Sequence, residues 1–309
     1  MIQKYLREIS VTIAYLLLLG ILALKAPTFF EADNIRQLLV EIVPALVAAV
    51  GMTLVIITRE IDLSIGSVFS LCAYIAALLA AGGVPIPIAF AAAIGCGAVM
   101  GAVNGVFVAA MGMPSIVVTL ATMVIWQMAL AWWKQGAPVA SLPAGFHWFG
   151  LSQTAGQWTE VIVALIVFIL FALAMRYLAA GRAVYATGSD HEAARLAGIR
   201  PNLVTFNVFV LMGILAAVAS ILNAVIMEKV YPTSGLNLEL RVIAAVVVGG
   251  VAVSGGRGRL IGAMIGVALL GTIGRALIFL HARSEWGAAI QGGIILLAVA
   301  SDALDRSRR

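Results

Sequence analysis

The sequence predicts an all-helical fold threaded repeatedly through a membrane, and three observations carry that prediction. Of the 309 residues, 63% are apolar and only 11% charged, too few polar groups to make the outer shell of a water-soluble globule. The apolar residues fall in runs close to the roughly 20 residues that a bilayer-crossing helix requires. When those runs are threaded alternately, the basic residues between them separate by side. Soluble and disordered chains are thereby excluded, and residues 1–309 read as one polytopic membrane domain.

Ten stretches are expected to cross, so that both termini lie in the cytoplasm. The first, Ile9–Leu24, follows Lys4 and Arg7 as a secretory signal would, but it lacks a small-x-small cleavage site and reads as a retained helix. Gln37–Thr58, Ser64–Ala81, Val84–Met111 and Pro114–Trp133 follow, with the slightest breaks at Ala81–Val84 and Met111–Pro114. A long outer loop, Lys134–Trp158, carries Trp148 and Phe149, aromatic residues suited to lying at lipid headgroups. Thr159–Leu178 is separated by an inner loop from Leu203–Met227, Glu239–Val253, Leu260–His281 and Trp286–Leu304. With this threading Lys4, Arg7, Arg59, Arg176, Arg182, Arg195, Arg200, Arg257, Arg259, Arg306, Arg308 and Arg309 are inside. Lys25, Arg36, Lys134, Lys229, Arg241 and Arg283 are outside. Dropping one helix would put the Arg-rich C-terminus on the wrong side.

Glycines are spaced for helix contact: Gly97, Gly101 and Gly105 share one face, as do Gly262 and Gly266. Such stripes let backbones approach where lipid offers no hydrophobic incentive to associate. The two cysteines, Cys72 and Cys96, lie in apolar runs and read as buried small residues. The net charge of +5 comes from scattered single residues, which excludes a nucleic-acid surface and fits membrane topology. A two-part internal echo, a polar glycine-bearing break before a Gly-rich helix, occurs at Ile61–Ser67 and at Ser254–Gly262.

No catalytic constellation is visible. His147, His191 and His281 lack metal-ligand companions at helical spacing, and no phosphate-binding Gly-x4-Gly-Lys-Ser/Thr loop occurs. The chain therefore reads as neither an enzyme, a metal protein nor an ATPase, and energy for transport must come from a gradient or a partner. A gradient-driven carrier needs ionisable groups inside the membrane. Glu41, read as a residue near a helix end, and Arg275, which can snorkel or pair with Glu285, are the candidates.

Two polar segments carry the chemistry. In the inner loop Ala179–Pro201, Ser189 and Glu192 form a capping-box pair, Asp190 favours a helix start, and Gly198 with Pro201 supplies a stop. The helix between, Asp190–Ala197, is too short to stand alone in water and must be held by its own domain or by another protein. Ala193, Ala194 and Ala197 give it a low surface with Leu196 and Ile199 beside them. A capped connector fits these residues as well as a docking element does. In the inner break Thr58–Ser67, Asp62 is expected to cap the helix that follows, with Ser64 and Ser67 at its start. The alternative is a broken-helix junction lining a passage.

At these segments the sequence resembles the permease subunits of ribose-type ABC monosaccharide importers, on Gly51–Ser67 (GMTLVIITREIDLSIGS), Gly181–Ile199 and Arg241–Gly262 (RVIAAVVVGGVAVSGGRGRLIG). The resemblance implies an inner-membrane domain that pairs with a second permease, homo- or heterodimeric. It also implies two ATP-binding cassettes that hold the ATP and Mg, a periplasmic sugar-binding protein, and no cofactor in this chain. It makes residues 181–200 the coupling segment, with Gly188, Ser189, Asp190, Glu192, Ala193, Ala194, Arg195 and Gly198 meeting the ATPase. Arg59, Asp62, Ser64 and Ser67 become a helix-break gate, and the amides of Asn104, Gln127, Asn207 and Asn223 are candidates for the sugar's path or for interhelical bonds. Where the family usually shows Gly-Gly before Ile-Asp-Leu-Ser, this chain has Arg59-Glu60, as in permeases assigned to rhamnose or autoinducer-2. A gradient-driven secondary transporter of a small polar solute is the rival reading.

Overall fold

A computed structural model of the protein describes residues 6–280 together with 286, 287, 289, 290, 292, 293 and 296. Eleven α-helices are delimited among them: α1 (Leu6–Lys25), α2 (Ala32–Ile57), α3 (Ile65–Ala81), α4 (Ile86–Gly105), α5 (Ser115–Lys134), α6 (Gln153–Tyr177), α7 (Ala179–Ser189), α8 (His191–Leu196), α9 (Pro201–Ala224), α10 (Leu238–Val248) and α11 (Leu260–Phe279). A π-helical turn, Val106–Ala110, extends α4. Six of these, α2, α4 with its π turn, α5, α6, α9 and α11, are long and apolar enough to cross a membrane; the apolar parts of α1 and α3 are shorter.

The stretch expected over Glu239–Val253 is helical in only part of its length. Its helix, α10, has 11 residues, about 16 Å at 1.5 Å per residue, against the roughly 30 Å of a bilayer core. Gly249 and Gly250 end it and open a glycine-rich break before α11. The sixth stretch starts earlier than expected, at Gln153, because the Ser152 hydroxyl accepts the Ala155 N–H at 3.4 Å. The two slight breaks are real turns, with Gly83 at φ +85° and Gly112 at φ +68°. The tenth stretch, Trp286–Leu304, lies largely outside the described residues, as do Lys4 and the C-terminal arginines.

Helix α9 is the centre of the bundle, packed against α2, α3 and α4. The glycine stripes do what their spacing predicts. A methyl group on Gly213 would overlap the Gly97 carbonyl, and one on Gly101 would overlap that of Phe209, so α4 and α9 cross backbone to backbone. Gly249 and Gly262 bring α10 and α11 together in the same way. Large apolar side chains on α1, α5 and α6, among them Leu17, Ile125, Ile166 and Leu170, are left outward, the surface that a hydrocarbon solvent accepts.

The structure gives partners to side chains that the sequence singled out. Arg275 on α11 pairs with Glu41 on α2 (Nε to Oε2, 2.8 Å) and also donates to the Asn34 carbonyl and the Gln37 amide oxygen, both at 3.2 Å. Its foreseen partner Glu285 lies outside the described residues. Trp148 and Phe149 are half-buried: Trp148 lies on Gly156, and Phe149 meets Phe90 edge-on. Their loop is tied down by the paired Val139 and Val230 backbones and by the Trp148 N–H on Val225.

The close α4–α9 crossing makes a testable contrast. Gly213→Ala is expected to cost about 1–3 kcal/mol through overpacking and to lower the melting temperature in detergent. Gly95→Ala, whose methyl would meet open space, is expected to leave it unchanged.

Candidate functional site at the meeting of three breaks

Helix α2 ends in a hydrogen-bonded reversal. The Arg59 N–H bonds the Ile56 carbonyl at 3.0 Å and the Glu60 N–H that of Val55 at 3.1 Å, with Arg59 at φ +68°. These paired bonds are a Schellman stop, in which Arg59 takes the left-handed position usually given to glycine. Residues 60–63 then run without helix before α3 begins.

Asp62 does not cap α3 as the sequence suggested. Its Oδ1 instead accepts from the Ser64 N–H (2.8 Å) and the Ser64 hydroxyl (2.6 Å), and Ser64 itself occupies the N-cap position. Asp62, Ser64 and Ser67 are all buried. Asn104 of α4 donates to Ser64 Oγ at 2.8 Å, and Thr122 of α5 donates to Asn104 Oδ1 at 2.9 Å. Ser115 Oγ accepts the Ile61 N–H at 3.1 Å, and Thr119 reaches the Ile61 carbonyl at 3.3 Å. Thr122 lies seven residues beyond Ser115, about 10 Å further along α5. The break therefore climbs the flank of α5, with both backbone groups of Ile61 taken up by α5 side chains.

The inner loop is more helical than its polarity suggested: α7 and α8 fill most of it, joined at Asp190. The capping box on Ser189 is overturned, because Ser189 closes α7. Asp190 caps α8, its Oδ1 accepting the Glu192 and Ala193 N–H groups at 2.9 Å each. Those two bonds hold the Asp190 carboxyl below its ordinary 3.8. Glu192 does not reach back to a cap; it pairs with Arg195 at 2.6 Å on the outer side of α8. Ala193, Leu196 and Ala197 are exposed beside that pair, whereas Ala194 is buried against the domain. Gly198, at φ +81°, lets the chain leave the helix.

The third break, residues 249–259, closes on the other two. The Gly256 N–H donates to the Ile57 carbonyl at 2.9 Å, and the Tyr185 hydroxyl to the Gly258 carbonyl at 2.8 Å. Gly188 lies so close to Ile57 that any Cβ would overlap its carbonyl oxygen. Arg59 Nε donates to the Gly188 carbonyl at 2.5 Å, and its Nη2 to that of Ser189. Beside this junction is a cleft of about 470 Å³, lined by Glu60, the 108–114 turn, His191, Asn202 and Thr205. Burial raises the Glu60 carboxyl, opposed by a Ser115 hydrogen bond and by His191.

The four amides do not converge. Asn104 is buried between Ser64 and Thr122 and acts as an interhelical bond. Gln127 and Asn223 are half-buried and Asn207 is exposed; the two α9 asparagines lie sixteen residues, about 24 Å, apart on one helix. Among the described residues no group of three or more His, Cys, Asp or Glu is placed to hold a metal ion. Sequence reasoning missed Ser115, Thr119 and Thr122, although their spacing of four and three puts the hydroxyls on one helical face.

The three segments that meet here are the ones that carried the family resemblance. A family model described as a branched-chain amino acid transport system permease component matches residues 34–299. The chain belongs to this permease family. It is 36% identical over 307 residues to the ribose import permease protein RbsC of Escherichia coli K12, covering 97% of this chain and 95% of that protein. RbsC of Bacillus subtilis is 33% identical, over 93% of this chain and 89% of its own length. The autoinducer 2 import system permease protein LsrC of Escherichia coli O157:H7 is 33% identical, over 95% and 85%. No solved structure matches. Members of the permease family are membrane transport subunits and not enzymes.

Two outcomes follow from this geometry. Asn104→Leu removes the bonds that join α4 to Ser64 and Thr122, each of which keeps another acceptor, and is expected to cost about 0.5–1.5 kcal/mol per lost bond, read as a lower unfolding midpoint in detergent; Gln127→Leu, outside the network, costs less. Because the Asp190 carboxyl is lowered, its cap is complete at neutral pH and is lost only as pH falls through that lowered value. Hydrogen exchange at the Glu192 and Ala193 amides is therefore expected to stay protected, after correction for intrinsic rates, down to about pH 5. Asp190→Asn should retain that protection and Asp190→Ala lose it.

Proposed function

We propose that the chain is the membrane permease subunit of an ABC importer that carries a monosaccharide, or a sugar-like molecule such as autoinducer-2, across the inner membrane. One observation carries the reading. The exposed two-turn helix α8, with its Glu192–Arg195 pair, follows directly on α7, whose Gly188, Ser189 and Tyr185 are bonded to the breaks that follow α2 and α10. In this reading the end of the bundle bearing α8 faces the cytosol, both termini lie there, ten segments cross, and residues 1–309 form one domain. Two cassettes of a partner ATPase, which hold ATP and Mg, close against residues 181–200. Gly188, Ser189, Asp190, Glu192, Ala193, Ala194, Arg195 and Gly198 form the coupling surface, and Arg59, Asp62, Ser64 and Ser67 the gate. A loaded periplasmic binding protein docks at the opposite end, and a second permease, identical or different, completes the passage. Asn207, Asn223 and Gln127 remain the candidates for its lining.

The ion pair of Glu41 with Arg275 weighs against the gradient-driven alternative, since it occupies one carboxylate that a proton carrier would use. The relatives named for ribose and autoinducer-2 support a monosaccharide or sugar-like cargo. The Arg59-Glu60 pair favours the autoinducer-2 or rhamnose branch.

In sealed vesicles carrying the whole transporter, uptake of ribose, rhamnose and autoinducer-2 is expected to stop when ATP is withdrawn and to survive a protonophore at constant ATP. The opposite pattern sinks the ABC reading. Glu192→Lys and Arg195→Glu are each expected to cut uptake at least about tenfold while the permease stays in the membrane; normal uptake in both removes α8 as the docking element.

A further inference from the structure

Arg59 stands where a glycine would serve the backbone better. Its φ of +68° crowds a Cβ against the following carbonyl, and a chain that only needed to stop α2 would place Gly there. The side chain supplies the compensation. It donates to the carbonyls of Gly188 and Ser189, which belong to the last turn of α7 and have no acceptor role within that helix. The guanidinium also faces the negative end of the α7 dipole. Its stem runs over Gly255, where a Cβ would overlap Arg59 Cγ, so the third break is shaped around it. The residue after Ser189 is Asp190, the cap of α8. Three residues after Arg59 comes Asp62, the start of the buried series Asp62–Ser64–Asn104–Thr122.

We propose that Arg59 is the link through which a displacement of α8 reaches the membrane interior: it makes the α7–α8 joint and the α2–α3 break move as one body, and the buried series passes that movement to α4 and α5. The proposal rests on the reading of α8 as the ATPase docking element. It makes Arg59 a positioning residue that touches neither sugar nor nucleotide.

The test uses the complete transporter in proteoliposomes, with the loaded binding protein, and counts sugar imported per ATP hydrolysed. The probe is whichever of ribose, rhamnose and autoinducer-2 the unmodified complex imports. Arg59→Gly removes the guanidinium and relieves the backbone at once, so the ratio is expected to fall about tenfold or more without a matching fall in melting temperature. Arg59→Lys, a point charge without the two-pronged fork, should fall in between. A normal ratio in Arg59→Gly overturns the proposal, and so does a ratio that falls only in step with stability. Should the glycine variant fail to accumulate, a normal ratio in Arg59→Lys overturns it equally. The two readings fail separately: normal uptake in the Glu192 and Arg195 variants removes α8, whereas uncoupled α8 variants beside a normal Arg59→Gly remove only the link.

Discussion

A backbone that leaves its helix inside an apolar protein must find new hydrogen-bond partners, because neither lipid nor a packed core supplies water to take them. The stretch 60–63 meets that demand with side chains from its neighbours. Ser115 and Thr119 take up both backbone groups of Ile61, while Asp62 and Asn104 hold Ser64. Ser115 and Thr119 come from α5 and Asn104 from α4, so satisfying one short break fixes the relative placement of α3, α4 and α5. The same requirement is met at the Ile57 carbonyl by Gly256 and at the Gly258 carbonyl by Tyr185, which fastens α7 and the 249–259 break to the foot of α2.

Glycine makes these meetings sterically possible. At Gly188 it is the absence of a side chain that counts, since the Ile57 carbonyl fills the space; at Gly256 the backbone also takes φ +68°. Along α4 and α9 the stripe Gly97, Gly101 and Gly213 brings the helix axes close enough for dispersion contact between backbones. Packing of this kind is intolerant of added volume, which distinguishes the bundle's centre from its outward faces.

Much of this was legible in the sequence, for physical reasons that differ by feature. Apolar runs and their breaks placed α2, α4, α5, α9 and α11 within a few residues, because hydropathy over twenty residues is a strong signal. It overstated the length of helix in Glu239–Val253, since an apolar run has the same composition whether or not all of it is helical. The small helix after Asp190 was foreseen, but not which residue caps it: Ser189, Asp190 and Glu192 all offer suitable oxygens, and only the joint between α7 and α8 decides among them. The ion pair of Glu41 with Arg275 joins residues more than 230 positions apart, and the fork of Arg59 onto Gly188 and Ser189 spans nearly 130. No local pattern encodes such meetings. Asn104 was visible as a polar residue in an apolar helix, yet whether it faced a passage or a neighbour depended on Ser64 and Thr122.

The π-helical turn Val106–Ala110 has a consequence for the cleft beneath it. A wider coil accommodates one residue more than an α-helix does, and each added residue turns the remainder of a helix by about 100°. The azimuth at which Val108 through Met113 confront Glu60 and Asn202 is therefore fixed by that single supernumerary residue. Tightening the coil to ordinary pitch would turn that wall relative to Glu60 and Asn202 and reshape the opening.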